Sequence, residues 1–465
     1  MVDDRLMALY HRSPLPLQHL GVSAKGWQLK RRRRGGVFED LLKEVKERSR
    51  YSQARLDTYR QKRLKQFLQT AWDSPFWRDQ FDQHDVDMTA EEPFAELSKL
   101  PILAKQDIKE ADLTLRPESV SSEDLLSCHT SGTTGSGLTF VQTKQSLREQ
   151  WAVWWRYRNW HGIERDTWHG YFGGIPIVPI EESTPPFWRV NYPGRQVMFS
   201  SYHIKPESTH IYVDEIGDRK LPWLHGYPSA LSLLANSILD QKVSAPSSLK
   251  IVTIGAETLF DHQREAIERA FDVPVRQHYG LEEAVANISE CPEGNLHVDE
   301  DFAHVEFVPL EEGDGYRIVG TNWTNPAFPL IRYDTGDIVM LSDDGCSCGR
   351  NGRVVESILG RQDDYVVLPN GARVGRLDHI FKDFESIHEA QIYQPDRDQV
   401  VLRVVPGDTF DDNVETELRE KARTRLGNEI SVDISYVAEI ERTDSGKMKF
   451  VVSDIDAMQI EEPTT

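Results

Sequence analysis

Ile251-Val252-Thr253-Ile254, closed by Gly255, reads as a buried strand. A helix over Asp261–Phe271 follows it, and Val273–Val275 then resumes a strand-like pattern. Strand, helix and strand at that spacing mark a parallel α/β layer. The same alternation of short apolar strands with helices runs from about residue 100 to 355. Within it Gly170–Ile180 and Tyr227–Leu239 suit core strand or helix, being too short to cross a membrane. Phe302–Val308 and Tyr316–Val319 read as an antiparallel pair around the turn Glu-Glu-Gly-Asp-Gly.

Either side of this layer the pattern changes. Residues 1–95 look helical and interrupted, with Arg48–Leu68 rich in Arg, Lys, Gln and Leu and poor in breakers. After Gly360 a smaller unit is expected. It comprises a hairpin (Tyr365–Leu368, a Pro-Asn-Gly turn, Arg373–Val374), a helix from Leu377, strands near 389–405, a helix at 411–426 and a last strand at 431–437. The expected organisation is therefore α/β. A helical part (1–95) and a core (96–359) form a large N-terminal domain, and a small, mobile α+β domain (360–465) follows.

The chain's 465 residues are 39% apolar and 28% charged, which suits a soluble globular protein with sizeable cores. Its 54 basic against 75 acidic residues leave a charge of −21, the wrong sign for wrapping a nucleic acid. No stretch approaches the ~18 uncharged apolar residues of a membrane span. The opening Met-Val-Asp-Asp lacks the basic-then-apolar order of a secretory signal, so a cytoplasmic location is expected. One feature opposes the acidic balance, the run Lys30-Arg31-Arg32-Arg33-Arg34. It reads as a solvated helix end in preference to a contact with an anionic membrane or nucleic acid.

The strongest local signal is His129-Thr-Ser-Gly-Thr-Thr-Gly-Ser-Gly-Leu138. Glycines let backbone approach an anion closely, while hydroxyls and amide N–H groups donate to phosphate oxygens. Gly132 and Gly137 have the spacing of a nucleotide P-loop, but that motif needs lysine next and this chain has Leu138. Further on come Gln277-His-Tyr-Gly-Leu-Glu-Glu283, Arg332-Tyr-Asp-Thr-Gly-Asp337, Gly360-Arg-Gln-Asp-Asp364 and Arg442-Thr-Asp-Ser-Gly-Lys447.

This ordered set, with Pro101-Ile-Leu-Ala-Lys105 ahead of it, resembles the adenylate-forming superfamily of acyl-CoA synthetases, adenylation domains and luciferases. The likeness is strongest to the phenylacetate–CoA ligase-like branch, and Trp27–Gly36 looks like the CapK-type capsular polysaccharide proteins within it. The resemblance implies attack of a carboxylate on the α-phosphate of ATP with loss of pyrophosphate, then transfer of the acyl group. Thr130, Ser131, Gly132, Thr133, Thr134 and Gly135 would hold the β- and γ-phosphates. Glu283 would hold Mg²⁺, an ion that prefers carboxylate and phosphate oxygen. His278, Tyr279 and Gly280 would line the adenine pocket with Gly255, Ala256 and Glu257, which follow a strand as a nucleotide loop should. Asp337 offers two acceptor oxygens to the ribose hydroxyls, with Arg361 at the same end. Lys447 would reach the α-phosphate and the acyl oxygen across the domain interface. Asp363 takes the hinge position about which the small domain swings.

Taken singly, each residue has a blander reading. Asp337 could cap its own turn, Glu283 could open a helix, and Lys447 could be an exposed turn lysine. Two departures from the superfamily pattern stand out. Ser136-Gly137-Leu138 replaces the usual x-Pro-Lys, and Glu282 stands where Ser or Thr is common, so that either glutamate could hold the metal. The expected partners are a small carboxylic acid and an acyl acceptor. CoA is expected first, an amine or hydroxyl in polysaccharide assembly second, and a non-catalytic nucleotide-binding scaffold third.

Cys291 and His297, with five residues between them, and Cys346-Ser-Cys348 match a Cys₃His zinc site with no open position, against the alternative of ordinary buried small residues. Cys128 reads as packing. Trp151, Trp154 and Trp155 would share one helix face, more often core than acyl pocket, while Trp160 and Trp168 lie in the same aromatic region.

Overall fold

A computed structural model of the chain describes residues 4–455 except 124, 130–137, 258, 260, 311–314, 343, 361–365, 371–372, 375–376, 382–383, 385, 407–409, 439 and 441–450. Helices α1 (Asp4–His11), α2 (Leu15–Arg34), α3 (Phe38–Arg48), α4 (Gln53–Ala71), α5 (Pro75–Gln83), α6 (Pro93–Leu97) and α7 (Lys105–Ala111) open the chain. Within Arg48–Leu68 the chain breaks. α3 ends at Arg48 and Ser52 caps α4, its side chain accepting from the Arg55 amide at 3.4 Å. Ser74 caps α5 in the same way, with Pro75 at the first helical position.

The antiparallel pair β1 (Leu125–His129) and β2 (Thr139–Thr143) leads into α8 (Lys144–Trp160), capped by Thr143 through the Ser146 amide at 2.9 Å. Next come β3 (His169–Gly173), β4 (Trp188–Asn191), β5 (Gln196–Ser200), α9 (Thr209–Asp218), β6 (Trp223–Gly226), α10 (Pro228–Gln241), β7 (Ile251–Gly255), α11 (Asp261–Phe271) and β8 (Val275–Gly280). Strands β5, β3, β6, β7 and β8 are parallel neighbours in that order, the parallel layer expected from residues 251–275. Pairing of β8 begins at Val275 because Pro274 has no N–H for the ladder, and the strand extends through His278-Tyr279-Gly280.

From β8 onward the sheet turns antiparallel. It runs through β9 (Asn287–Glu290), β10 (Leu296–Val298), β11 (His304–Pro309), β12 (Tyr316–Thr321), β13 (Tyr333–Leu341) and β14 (Val354–Gly360). One face of the parallel part carries Phe172, Leu224, Val252 and Ile254 against Leu231 and Leu234 of α10 and Ile267 of α11. The opposite face sends Trp223 and Ile251 against Ala152 and Trp155 of α8, which in turn packs on Phe38, Leu42 and Val45 of α3.

The C-terminal part holds β15 (Val366–Val367), β16 (Arg373–Val374), β17 (Ile387–Asp396), β18 (Gln399–Pro406), α12 (Asp412–Leu426), β19 (Ser431–Tyr436) and β20 (Val451–Ser453). The hairpin, the strand pair and α12 match expectation, and Asp411 caps α12. Two details differ. The helix expected from Leu377 is one 3₁₀ turn, Leu377–Ile380, and β19 is followed by β20, which lies parallel to β17. A three-residue strand is too short to show a hydrophobic period. Leu418, Ala422 and Leu426 of α12 cover Ile392, Val400 and Leu402 of this sheet, and Tyr202 from the N-terminal part joins the same cluster. Lys205 to Glu429 at 2.8 Å and Asn428 to Glu181 at 3.0 Å add polar contacts there. No helix among the described residues is long and apolar enough to cross a membrane.

A buried ionic network joins the N-terminal helices to this framework. Arg156 of α8 donates to Asp299 at 2.6 Å and to Asp301 at 2.8 and 2.9 Å. Arg48 at the end of α3 donates to Asp301 at 2.8 Å and to Glu149 of α8 at 3.0 Å. Burial raises the Asp301 pKa, but the two guanidiniums outweigh it and hold the carboxyl at about 2. Asp301→Asn keeps the shape and removes the charge between two buried cations. It should cost about 3–5 kcal/mol in urea unfolding, and a loss below about 1 kcal/mol would mean that water or neighbouring acids compensate.

Candidate active site at the sheet edge

Parallel strands expose their carboxyl ends on one edge, where α/β folds bind ligands. Here that edge carries Gly226, Gly255 and Gly280 at the ends of β6, β7 and β8. Gly255 lies beside His278 in register, and a Cβ on it would sit 2.9 Å from the His278 carbonyl oxygen. Ala256 follows with φ +70°, so the chain turns sharply out of β7 into Glu257. A Cβ on Gly280 would sit 2.8 Å from Asn287 Oδ1 and 3.2 Å from Trp154 Nε1, so only glycine lets α8 and β9 close on the end of β8.

Tyr279 donates its hydroxyl to Asp337 Oδ2 at 2.7 Å. The Asp-Thr-Gly-Asp turn shows why Asp337 is available for this. Asp334 Oδ1 accepts from the Gly336 amide at 2.9 Å, and Thr335 Oγ1 accepts from the Asp337 amide at 3.1 Å. The turn is thus capped by Asp334 and Thr335, while the Asp337 side chain reaches across to β8. The Pro101–Lys105 segment bonds to the same motif, through Leu103 N to Arg332 O at 3.0 Å and Asp334 N to Leu103 O at 2.9 Å. Arg332 forks onto Glu306 at 3.0 and 2.9 Å and so braces the motif from outside.

The two glutamates separate. Glu283 is buried and Glu282 is exposed. Glu283 lies in a turn, not the opening of a helix: Ala284 follows with φ +58°, and Asn322 Nδ2 donates to the Glu283 carbonyl at 3.1 Å. Glu283 offers a buried carboxylate of the hard-oxygen kind that magnesium takes.

Strand alternation puts His278 on the face of β8 opposite Tyr279, under α8, where its ring meets Trp154 at 5.5 Å and Tyr157 at 5.1 Å. The register lines up Tyr171, His225 and Thr253 on neighbouring strands. His225 is bonded through Nδ1 to Thr253 Oγ1 at 2.9 Å. Burial, with the charge of Arg158 added, holds His225 and His278 down to about 3. Burial and the nearby His225 hold His169 well below its ordinary value.

The aromatic helix face is used in two ways. Trp155 is core, while Trp154 donates to Asn287 Oδ1 at 2.9 Å beside Gly280. The basic run also departs from expectation. Arg31 and Arg32 are exposed at the end of α2, but the Arg33 guanidinium lies 4.1 Å over the Trp151 ring and that of Arg34 lies 4.3 Å over Trp155. Indole faces attract guanidinium, and α2 packs along α8, so the last two arginines turn inward. Arg158 lies over the same two rings at 5.8 and 5.0 Å. Arg158, Tyr171 and His225 were not singled out from sequence. The available signal was an arginine inside a tryptophan-rich helix with no acid in its last two turns.

Cys291, His297, Cys346 and Cys348 present ligand atoms all within 4.8 Å of one another. Cys291 Sγ to Cys346 Sγ is 3.7 Å and Cys348 Sγ to His297 Nε2 is 3.4 Å. A tetrahedral zinc with bonds of ~2.3 Å to sulfur and ~2.0 Å to nitrogen gives edges of about 3.8 and 3.5 Å. His297 Nδ1 pairs with the Asn351 carbonyl at 3.2 Å, which leaves Nε2 for the cluster. The turn between β9 and β10 meets the β13–β14 connection here. Asn351 also ties to the end of α3 through the Arg48 carbonyl at 2.8 Å. Cys128 is buried with its thiol pushed up to about 11, first by burial, and it accepts from Gln142 at 2.8 Å, as packing requires. Thr130–Gly135, Arg361, Asp363 and Lys447 lie outside the described residues.

Residues 366–454 match the family described as the CapK C-terminal domain. The chain is 25% identical over 453 residues to protein CapK of Staphylococcus aureus, spanning 96% of this chain and 99% of CapK. It is 26% identical over 345 residues to the phenylacetate–coenzyme A ligase of Thermus thermophilus, spanning 68% of this chain and 72% of the ligase. Among solved structures, 2-hydroxyisobutyryl-CoA ligase in complex with 2-HIB-AMP and CoA aligns with a TM-score of 0.56 at 21% identity. The alignment covers 88% of this chain and 91% of that one. The chain is thus homologous to CapK and to phenylacetate–CoA ligases, and its fold is that of the adenylate-forming ligases.

The depressed histidines make a pH prediction. In the unfolded chain each takes a proton below about pH 6.5, whereas in the fold His225 and His278 stay neutral to about 3. Their stabilising effect is complete above pH 6.5 and is lost as pH falls toward 3, each at up to about 1.4 kcal/mol per pH unit. The urea midpoint should fall steadily from pH 7 to about 5.5, before most carboxylates begin to protonate, and His225→Gln should flatten that slope. An unchanged slope in the variant would mean that His225 is protonated in the fold.

Proposed function

We propose that this chain is an AMP-forming carboxylate ligase that adenylates an acid with ATP and passes the acyl group to CoA. The observation that carries this is the Tyr279–Asp337 bond at the edge of the parallel strands, beside the Gly255-Ala256-Glu257 turn and the buried Glu283. It joins two motifs that lie 58 residues apart in sequence. Homology to phenylacetate–CoA ligases supports the same chemistry.

In this proposal Asp337, oriented by Tyr279, takes the ribose hydroxyls, with Arg361 at the same end. Tyr279, Gly280 and the Gly255–Glu257 turn line the adenine. His278 supports the pocket from beneath, since its ring lies under α8. The hydroxyls and amides of Thr130–Gly135 receive the pyrophosphate being expelled. Glu283, rather than the exposed Glu282, would hold magnesium, which supplies neutralisation of phosphate charge when bound. Lys447 stabilises the charge that develops at the α-phosphate during attack, as a positioned cation should. Residues 360–465 would swing about Asp363 to exchange adenylation for acyl transfer. The dependence on ATP suits a cytoplasmic location.

A second reading keeps adenylation and replaces CoA with an amine or hydroxyl acceptor. It is favoured by the near full-length match to CapK, 96% of this chain against 68% for the Thermus ligase. We also propose that Cys291, His297, Cys346 and Cys348 hold a structural zinc, on the strength of their donor set and spacing.

ATP–pyrophosphate exchange should appear with one class in a panel of aryl, fatty and amino acids. CoA-dependent AMP release would choose the first reading, and release only with an amine or hydroxyl the second. Lys447→Ala should lower exchange by roughly 100-fold or more with an unchanged circular dichroism spectrum, and undiminished exchange would remove Lys447 from the chemistry. Protein purified without chelator should carry about one zinc per chain. Cys346→Ser should lose that zinc and unfold at a lower temperature, whereas metal-free wild-type protein of full stability would exclude a structural metal.

A further inference from the structure

Two arginines on α8, two residues apart, are treated in opposite ways. Arg156 is buried among carboxylates and holds Asp299 and Asp301. Arg158 is also buried, at 8% exposure against 1% for Arg156; the Nε of each lacks a hydrogen-bond partner, but for Arg158 no carboxylate among the described residues pairs with the rest of the guanidinium either. It lies instead on the rings of Trp151, Trp155 and Trp223, at 5.8, 5.0 and 5.7 Å. Arg33 and Arg34 come down on the first two of these rings from α2. Three guanidiniums therefore gather around two indoles, at the face of the sheet that carries Tyr171, His225 and His278.

Resting on the ligase reading, we infer that this cluster is a subsite for a second anionic group on the acid substrate, a carboxylate or a phosphate distal to the carboxylate that is activated. Burying a guanidinium without a partner is costly, and arginine cannot escape by losing its proton at neutral pH. A guanidinium stacked by its face on indole keeps its fork of N–H donors at the edge, the geometry that takes carboxylate or phosphate two bonds at a time. No carboxylate among the described residues reaches Arg158, whereas Glu282 acts on Arg33 and Asp166 and Glu39 act on Arg34. The three histidines on this face are held neutral, and the charges that reach Arg158 are those of Arg34 and Arg33, with Tyr157 and Tyr171. The position suits an acid substrate. His278 immediately precedes Tyr279, whose hydroxyl holds Asp337, and the charge of Glu282 reaches Arg33. An acid with one charged end at the nucleotide and another at the arginines would run under α8 from the carboxyl ends of the strands toward Trp223, the first residue of β6.

The test is equilibrium binding, by calorimetry, of matched pairs: benzoate against isophthalate and 4-carboxyphenyl phosphate, and butyrate against glutarate. It is run on the full chain, with pyrophosphate exchange on the same acids. The dianions should bind wild-type protein at least ten times more tightly than their single-charge partners. In Arg158→Met and in Arg33→Gln that preference should shrink by roughly 10-fold or more, the loss of a charge-assisted bond. Arg158→Lys should restore part of it, which a packing defect would not. Isophthalate against 4-carboxyphenyl phosphate tells whether carboxylate or phosphate is preferred. Equal binding within each pair, no measurable binding of any dianion, or a preference that survives both variants overturns the inference. If Arg158→Met fails to fold, the half-buried Arg33 and Arg34, as glutamines, decide the matter. Exchange with single-charge acids and no preference for dianions would reject the subsite and keep the ligase. Binding of dianions with no exchange for any acid would keep the subsite and reject the ligase.

Discussion

The buried exchange of charge between Arg48, Arg156, Glu149, Asp299 and Asp301 is the contact on which the arrangement of the rest depends. It joins the end of α3, the middle of α8 and the segment after β10, three pieces that no regular hydrogen-bond ladder connects. Asp299 continues it into the sheet, accepting from Ser289 at 2.6 Å and from Asn287 of β9. Asn287 in turn receives Trp154 Nε1, so that the network ends beside Gly280. Buried ion pairs of this kind add less net stability than their Coulomb attraction suggests, because both partners were desolvated. What they fix is register: α8 can lie on the sheet in one way only, since any slide would strand a charge.

That constraint sets the geometry of the candidate site. α8 roofs one face of β6, β7 and β8, and Tyr279 emerges from the other to meet Asp337. The sheet changes from parallel to antiparallel between β8 and β9, and the turn that makes the change carries Glu282 and Glu283. Tyr279 and Asp337 meet at one rim although β9, β10 and β14 lie between β8 and β13 in the sheet. The Cys/His cluster stands at the far side of the same antiparallel segment and is tied through Asn351 to the corner after α3. A metal there would brace the end of the framework opposite the site.

The two arginines of α8 show how one helix serves both ends. Arg156 points to the carboxylates that lock the helix in place, and Arg158 points to the aromatic face, where no carboxylate among the described residues pairs with it. The inward turn of Arg33 and Arg34 couples the N-terminal helix α2 to this face. A basic run on an acidic protein is usually solvated, and Arg31 and Arg32 obey that rule. The last two break it because indole rings lie within reach.

Much of the fold was legible in the chain itself. Ile251–Gly255 and Asp261–Phe271 are a strand and a helix with the expected bounds, because a short β-branched run and an uninterrupted helical stretch each have one good local solution. The ordered motifs carried the resemblance to the adenylate-forming superfamily, and the chemistry came with that resemblance. The four residues of the Cys/His cluster could also be named, from the softness and spacing of their side chains. What sequence could not decide was which face each side chain would meet once helices packed. Asp337 was open to a local capping role, and only the proximity of Tyr279 drew it across; Glu282 and Glu283 were alike until one was buried. Arg33 was read as solvated because its place over Trp151 depends on a helix–helix contact between residues more than 100 positions apart. Arg158, though it lies over Trp151 and Trp155 of its own helix, was not noticed because its burial depends on the sheet beneath. Local pattern sets the elements; long-range burial decides which charges meet a partner.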